Sequence, residues 1–258
     1  MATISPPQPD TGPDTAIAAF RAALPLDAGS GSGDALIADR LCAIGRPAHL
    51  AKGEALLPDP REDRLVFIAA GCAKLVAPSG QNAPVNQVLA FHFAGDLVSV
   101  QRRSPGEPRG DFRLIALSPC EVVIFPADRF LDIAQGDPAV LRAVLTRSLQ
   151  ALHRSRTRMM QMGHKSAGAR IADFLVSMAE RLADCTAGAC AFSLPMSRRD
   201  IGDSLGLTIE TVSRQLTELR DAGLVCTEGR SKVWLSDIAT LARIAGRTHC
   251  QPGLTSKN

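Results

Sequence analysis

Residues 194–235 read LPMSRRDIGDSLGLTIETVSRQLTELRDAGLVCTEGRSKVWL. Ser197 with Asp200 three positions on forms a helix N-cap, with an acid in the first turn where the backbone N–H groups are free and the dipole is positive. Ile201 and Leu205 fall one turn apart on an inward face. Gly206 admits a left-handed backbone and a sharp turn. Thr208 then caps a second helix. Its apolar residues Ile209, Val212, Leu216 and Leu219 recur at steps of 3, 4 and 3, and Gly223 closes it. Two short helices around a glycine turn, each with an inward stripe, predict a helix-turn-helix over about Ile201–Leu219.

The outer face of the second helix carries Glu210, Ser213 and Arg214 at i, i+3 and i+4, so they share a surface. A recognition helix reads base edges with its N-terminal residues. Arginine matches the two acceptors of guanine, glutamate accepts from the cytosine amino group, and serine serves a base or a phosphate. A merely solvated Glu–Arg pair would contribute only about 0.3–0.5 kcal/mol and leave the surrounding motif unexplained. Thr208, Thr211, Arg198 and Arg199 are expected to support the base-readers or touch phosphates. Val225–Thr227 and Val233–Leu235 predict two strands of a wing, with Arg230 and Lys232 at its tip on phosphates, which position without specifying sequence.

Upstream, Leu141, Leu145, Ser148, Leu152, Ser155, Met159 and Met162 fall at alternating steps of 4 and 3 on a helix from Pro138 to Met162. Such a narrow seam fits either a partner helix or the chain's own β-domain. The flanking Arg154, Arg156 and Arg158 favour a dimer seam at Leu141, Leu145, Leu152 and Met159. Ala167 to Leu182 gives a further one-faced helix ending near Ala183.

Residues 44–126 alternate short apolar runs with glycine and proline turns: Leu65–Ala70, Ala73–Ala77, Val85–Phe93, Leu97–Val100, Phe112–Leu117 and Glu121–Phe125. About eight antiparallel strands in a compact roll are predicted. Residues 1–34, with four prolines by position 13 and the run Gly29-Ser30-Gly31-Ser32-Gly33, are expected to be a mostly disordered tail with one turn of helix within Ala16–Leu24. Residues 248–258 are expected to be a second such tail.

The charge is uneven. Residues 151–258 hold fifteen Lys and Arg against ten Asp and Glu, whereas residues 1–150 hold fourteen against sixteen. A basic second half suits a polyanion. Seven scattered cysteines give neither a disulfide framework nor a zinc site, since Cys185 and Cys190 have no second pair. No apolar run is long enough to span a membrane and no signal peptide precedes the first helix, so a cytoplasmic protein is expected. Cys185 and Cys190, in the loop before the helix-turn-helix, and Cys226, at the start of the wing, are candidate redox thiols.

The stretch DIGDSLGLTIETVSRQL, residues 200–216, resembles the Crp/Fnr family of bacterial regulators, and FHFAGDLVSV, residues 91–100, is similar to the β-roll of its Fnr and FixK branch. The likeness covers about residues 35–247. It implies an α+β chain: an N-terminal antiparallel β-roll of the cyclic-nucleotide-binding type over 35–136, a long dimerisation helix over 137–163 and a C-terminal winged helix-turn-helix over 164–247. It implies a homodimer on double-stranded DNA that acts on RNA polymerase. Glu210, Ser213 and Arg214 match the branch reading TTGAT half-sites, hence TTGAT-N4-ATCAA. Two departures bear on cofactors. The phosphate grip of cyclic-AMP-binding members falls near Gly110 and Asp111, where an acid repels phosphate, with Arg109 alongside. The cysteines that hold a 4Fe–4S cluster are missing before Cys42, leaving only Cys120. Neither cyclic AMP nor a cluster is expected. A cyclic-nucleotide module without DNA activity would need that grip and no base-reading face. An enzyme would need a convergent constellation, which the scattered histidines 49, 92, 153, 164 and 248 do not supply.

Overall fold

In a computed structural model, residues 13–24, 32–78, 86–100, 112–229 and 231–247 are described. The chain divides into two units between Ser155 and Arg156. The first begins with helices α1 (Pro13–Ala23) and α2 (Ser32–Ile44), followed by strands β1 (Arg46–Leu50), β2 (Ala55–Leu56), β3 (Arg64–Ala70), β4 (Cys72–Pro78), β5 (Asn86–Phe93), β6 (Leu97–Val100), β7 (Arg113–Ala116) and β8 (Cys120–Pro126). Helices α3 (Ala127–Ala134) and α4 (Pro138–His164) come next, and the chain passes into the second unit within α4.

The strands form two antiparallel four-stranded sheets, ordered β1-β8-β3-β6 and β2-β7-β4-β5. Successive strand side chains point to opposite faces, and in β3 and β8 both faces are covered. Val66, Ile68 and Val122 meet Ala73, Leu114 and Ala116 of the second sheet. Phe67, Val123 and Phe125 turn the other way, against Phe20, Leu41, Phe130, Val140 and Val144 of the helices. Double coverage accounts for the unbroken apolar runs in both strands, which antiparallel neighbours with one wet face would not need.

The structure corrects the expectation of a tail for residues 13–24, while residues 1–12 and 25–31 lie outside the described residues. Residues 13–23 form three turns of helix, and Phe20 is 1% exposed. Ala16, Phe20 and Leu24 recur every fourth residue, and this stripe enters the core. The Phe20 ring lies 4.6 Å from Phe125, 5.4 Å from Phe67 and 6.1 Å from Phe130 between centroids. An isolated helix of this length is marginal in water, so the aromatic cluster holds it. Arg147 of α4 donates to the carbonyl of Ala23, where α1 ends. The expected tail at 248–258 lies outside the described residues.

The second unit contains α5 (Ala167–Ala183), β9 (Cys190–Ser193), α6 (Arg198–Leu205), α7 (Ile209–Asp221), β10 (Val225–Glu228), β11 (Lys232–Leu235) and α8 (Ile238–Ile244). Its sheet runs β10-β11-β9. The third strand, β9, lies in a stretch expected to be loop. Arg247 closes the unit by donating to Asp173 at 2.8 Å and Glu180 at 2.7 Å on α5.

Candidate nucleic-acid interface

Ser197 caps α6: its hydroxyl accepts from Asp200 N–H while Asp200 returns a bond to the Ser197 N–H, a reciprocal capping box. Helix α6 buries Ile201 and Leu205 and ends at Gly206, whose φ of 64° is the left-handed value glycine adopts without strain. Gly202, which the sequence reading passed over, is as important. A Cβ there would lie 2.6 Å from the Leu207 carbonyl oxygen, so the turn folds against bare backbone. A glycine four residues ahead of the turn glycine was the available signal.

Thr208 caps α7, its hydroxyl accepting from the Thr211 N–H at 3.2 Å. Val212 and Leu219 are buried and anchor α7. Ile209, expected on the same inward stripe, is instead exposed in the first turn. Glu210 and Arg214 are exposed and Ser213 is half-buried, so the three predicted base-readers occupy one outer face. Each has its own partner. Hydrogen bonds from its own backbone N–H and from the Thr208 hydroxyl hold the Glu210 carboxyl below the usual range. Arg214 Nε lies 3.8 Å from Glu218 Oε1, one turn on. Ser213 Oγ accepts from Arg198 Nη1 at 3.2 Å. Arg199 is exposed beside it and Thr211 is half-buried.

The wing strands pair Val225 with Leu235 and Glu228 with Lys232. Lys232 is exposed, with Nζ 3.3 Å from Glu228. Arg230 lies outside the described residues, as do Arg109, Gly110 and Asp111. The three candidate thiols differ. Cys190 does not sit in a loop: it is buried in β9, paired with Leu235, and burial, with the neighbouring Cys185 thiol, pushes its pKa up to about 12. Cys185 is half-buried, and Cys226 is exposed on the outer face of β10 opposite Trp234.

On α4, the seam residues Leu141, Leu145, Leu152 and Met159 are between 39% and 66% exposed, whereas Val140 and Val144 turn into the core. Leu149 and Met160, not in the predicted heptad, are exposed with them. Met162 leaves the seam: its sulfur lies near Gly206, within 3.4 Å of where a Cβ would be.

A winged helix-turn-helix with a polar outer face on its second helix defines a DNA-binding regulator. A family model for the Crp-like helix-turn-helix domain matches residues 169–244. The nitrogen fixation regulation protein FixK of Azorhizobium caulinodans is 31% identical over 206 residues, covering 79% of this chain and 81% of its own. The transcriptional activator protein anr of Pseudomonas aeruginosa is 31% identical, covering 81% and 83%. The solved structure of FixK2 from Bradyrhizobium japonicum superposes with a TM-score of 0.65 at 27% identity, covering 78% of this chain and 97% of that one. The chain belongs to the Crp/Fnr family of transcription regulators and is not an enzyme. Among the described residues, no helix is long and apolar enough to cross a membrane.

Proposed function

We propose that the protein acts in the cytoplasm as a homodimer, reads TTGAT-N4-ATCAA-like operators with Glu210, Ser213 and Arg214, and recruits or blocks RNA polymerase at the promoters so marked. The observation that carries the reading is the shared outer face of these three side chains on α7, beyond a turn held by Gly202 and Gly206. Glu210 is ionised at neutral pH, as an acceptor for the cytosine amino group must be. The exposed apolar line on α4 supports the homodimer, since water penalises such a surface and a second copy would cover it. The two-fold operator follows from that symmetry.

Regulation without cyclic AMP or a 4Fe–4S cluster is part of the same proposal. Cys120, the one cysteine resembling a cluster ligand, is buried, with its thiol against the carbonyls of Cys72 and Ser118 at 3.1 and 3.2 Å. Burial raises its pKa, which opposes the thiolate a cluster needs.

Selection of binding sites from random duplex DNA at fixed salt tests the function. Enrichment of TTGAT and its inverted repeat across four base pairs is expected. Enrichment of an unrelated sequence, or of single half-sites only, would refute the operator or the dimer respectively.

A further inference from the structure

Arg198 opens α6, where a cation is expected to meet DNA phosphate. Its guanidinium instead crosses to the outer face of α7 and donates to Ser213 Oγ at 3.2 Å. We propose that Arg198 is a positioning residue for base readout, fixing the Ser213 hydroxyl as a donor aimed into the major groove. The proposal rests on α7 being the reading helix.

A serine hydroxyl offers one proton and two lone pairs, so by itself it suits either a donating or an accepting base edge. A guanidinium is always charged and only donates. With that cation on its oxygen, the hydroxyl dipole turns its proton away, and Ser213 presents a donor. Adenine and guanine N7, guanine O6 and thymine O4 accept in the major groove, whereas cytosine presents an amino donor. Held this way, Ser213 keeps one lone pair beside a cation that opposes a second donor, so it favours an accepting base edge over cytosine; released from Arg198, it accepts from the amino group as readily as it donates. Arg198 therefore contributes to specificity without touching a base. The other two base-readers have separate partners, Glu218 for Arg214 and Thr208 for Glu210, so the effect is confined to the position under Ser213.

A double-mutant cycle on the full chain tests this. Wild type, R198A, S213A and the double variant are titrated against the operator and each of its single-base-pair substitutions over a salt series. The expected result is that R198A tolerates cytosine at the position where S213A does, with discrimination there falling about three-fold or more. The double variant should then discriminate no worse than S213A alone, and R198K should recover part of the loss. An arginine that meets phosphate alone would weaken binding to every sequence equally and lower the salt slope by about 0.9, with discrimination intact; that result overturns the proposal. If S213A and R214A both keep wild-type base preference, α7 is not the reader, and the proposal falls with that reading. Should R198A melt below wild type, R198Q, which keeps a donor without the charge, makes the same comparison. Relaxed discrimination in R198Q supports the cationic mechanism and full wild-type discrimination refutes it.

Discussion

Replacing Phe20 with alanine removes a ring that is 1% exposed and touches three other phenylalanines. Truncating a buried phenylalanine costs about 3–5 kcal/mol, combining lost transfer free energy with the cavity left behind. Edge-to-face contacts such as those with Phe67 and Phe130 contribute about 0.5–1.5 kcal/mol beyond area. The loss has a ceiling, because α1 can leave the core rather than keep a cavity, and the cost then equals its docking free energy. A loss of about 3 kcal/mol is therefore expected, a large part of the roughly 5–15 kcal/mol that domains possess. Urea unfolding followed by far-UV circular dichroism measures it. Limited trypsin digestion gives an independent reading, since undocking makes Arg21 a cleavage site. A midpoint change equivalent to less than about 1 kcal/mol, with Arg21 equally resistant, would refute the docking of α1.

Gly202→Ala places a methyl against the Leu207 carbonyl and should cost about 1–3 kcal/mol of stability and weaken operator binding; calorimetry and gel shifts that match wild type would remove the close approach. Leu152→Asp sets two like charges facing each other in an apolar seam, so sedimentation should show monomer, with half-site affinity kept and full-operator affinity lost. Lys232→Ala should leave sequence preference unchanged while reducing the salt slope by about 0.9, and an unchanged slope takes the wing lysine off the phosphates. Peroxide should modify exposed Cys226 ahead of buried Cys190 and weaken operator binding until thiol reductant is added; equal loss of affinity in Cys226→Ser would move the sensitive thiol elsewhere.

The helix-turn-helix was legible because its signals are local. Ser197, Gly206 and Thr208 each act within four residues of their own position, and the cap bonds and left-handed turn are where those residue types require them. The strands were legible from their glycine and proline punctuation, but not the pairing of β3 with β8, which joins segments far apart in the chain. Helix α1 escapes a local reading for a related reason. Its flanks have the composition of a tail, and Phe20 gains its stabilisation from Phe67, Phe125 and Phe130, which no local window contains. Strand β9 has only four residues, and its inward Cys190 and Phe192 alternate too briefly to register. Sheet parity decided the thiols: Val225 faces in, so Cys226 faces out.

Trp234 is the only tryptophan in a chain without tyrosine, and it stands 56% exposed on β11. Its cross-strand neighbours, Cys226 and Ala191, are small, so the indole has water over much of its surface. The protein thus carries a built-in optical reporter at a single known place. Red-edge excitation isolates the winged sheet, and a blue shift or quenching there records drying or chemical change beside Cys226 without an attached dye. The same singularity leaves the β-roll without indole fluorescence, so fluorescence, which reads one unit, and circular dichroism, which reads both, together separate the melting of one unit from the other.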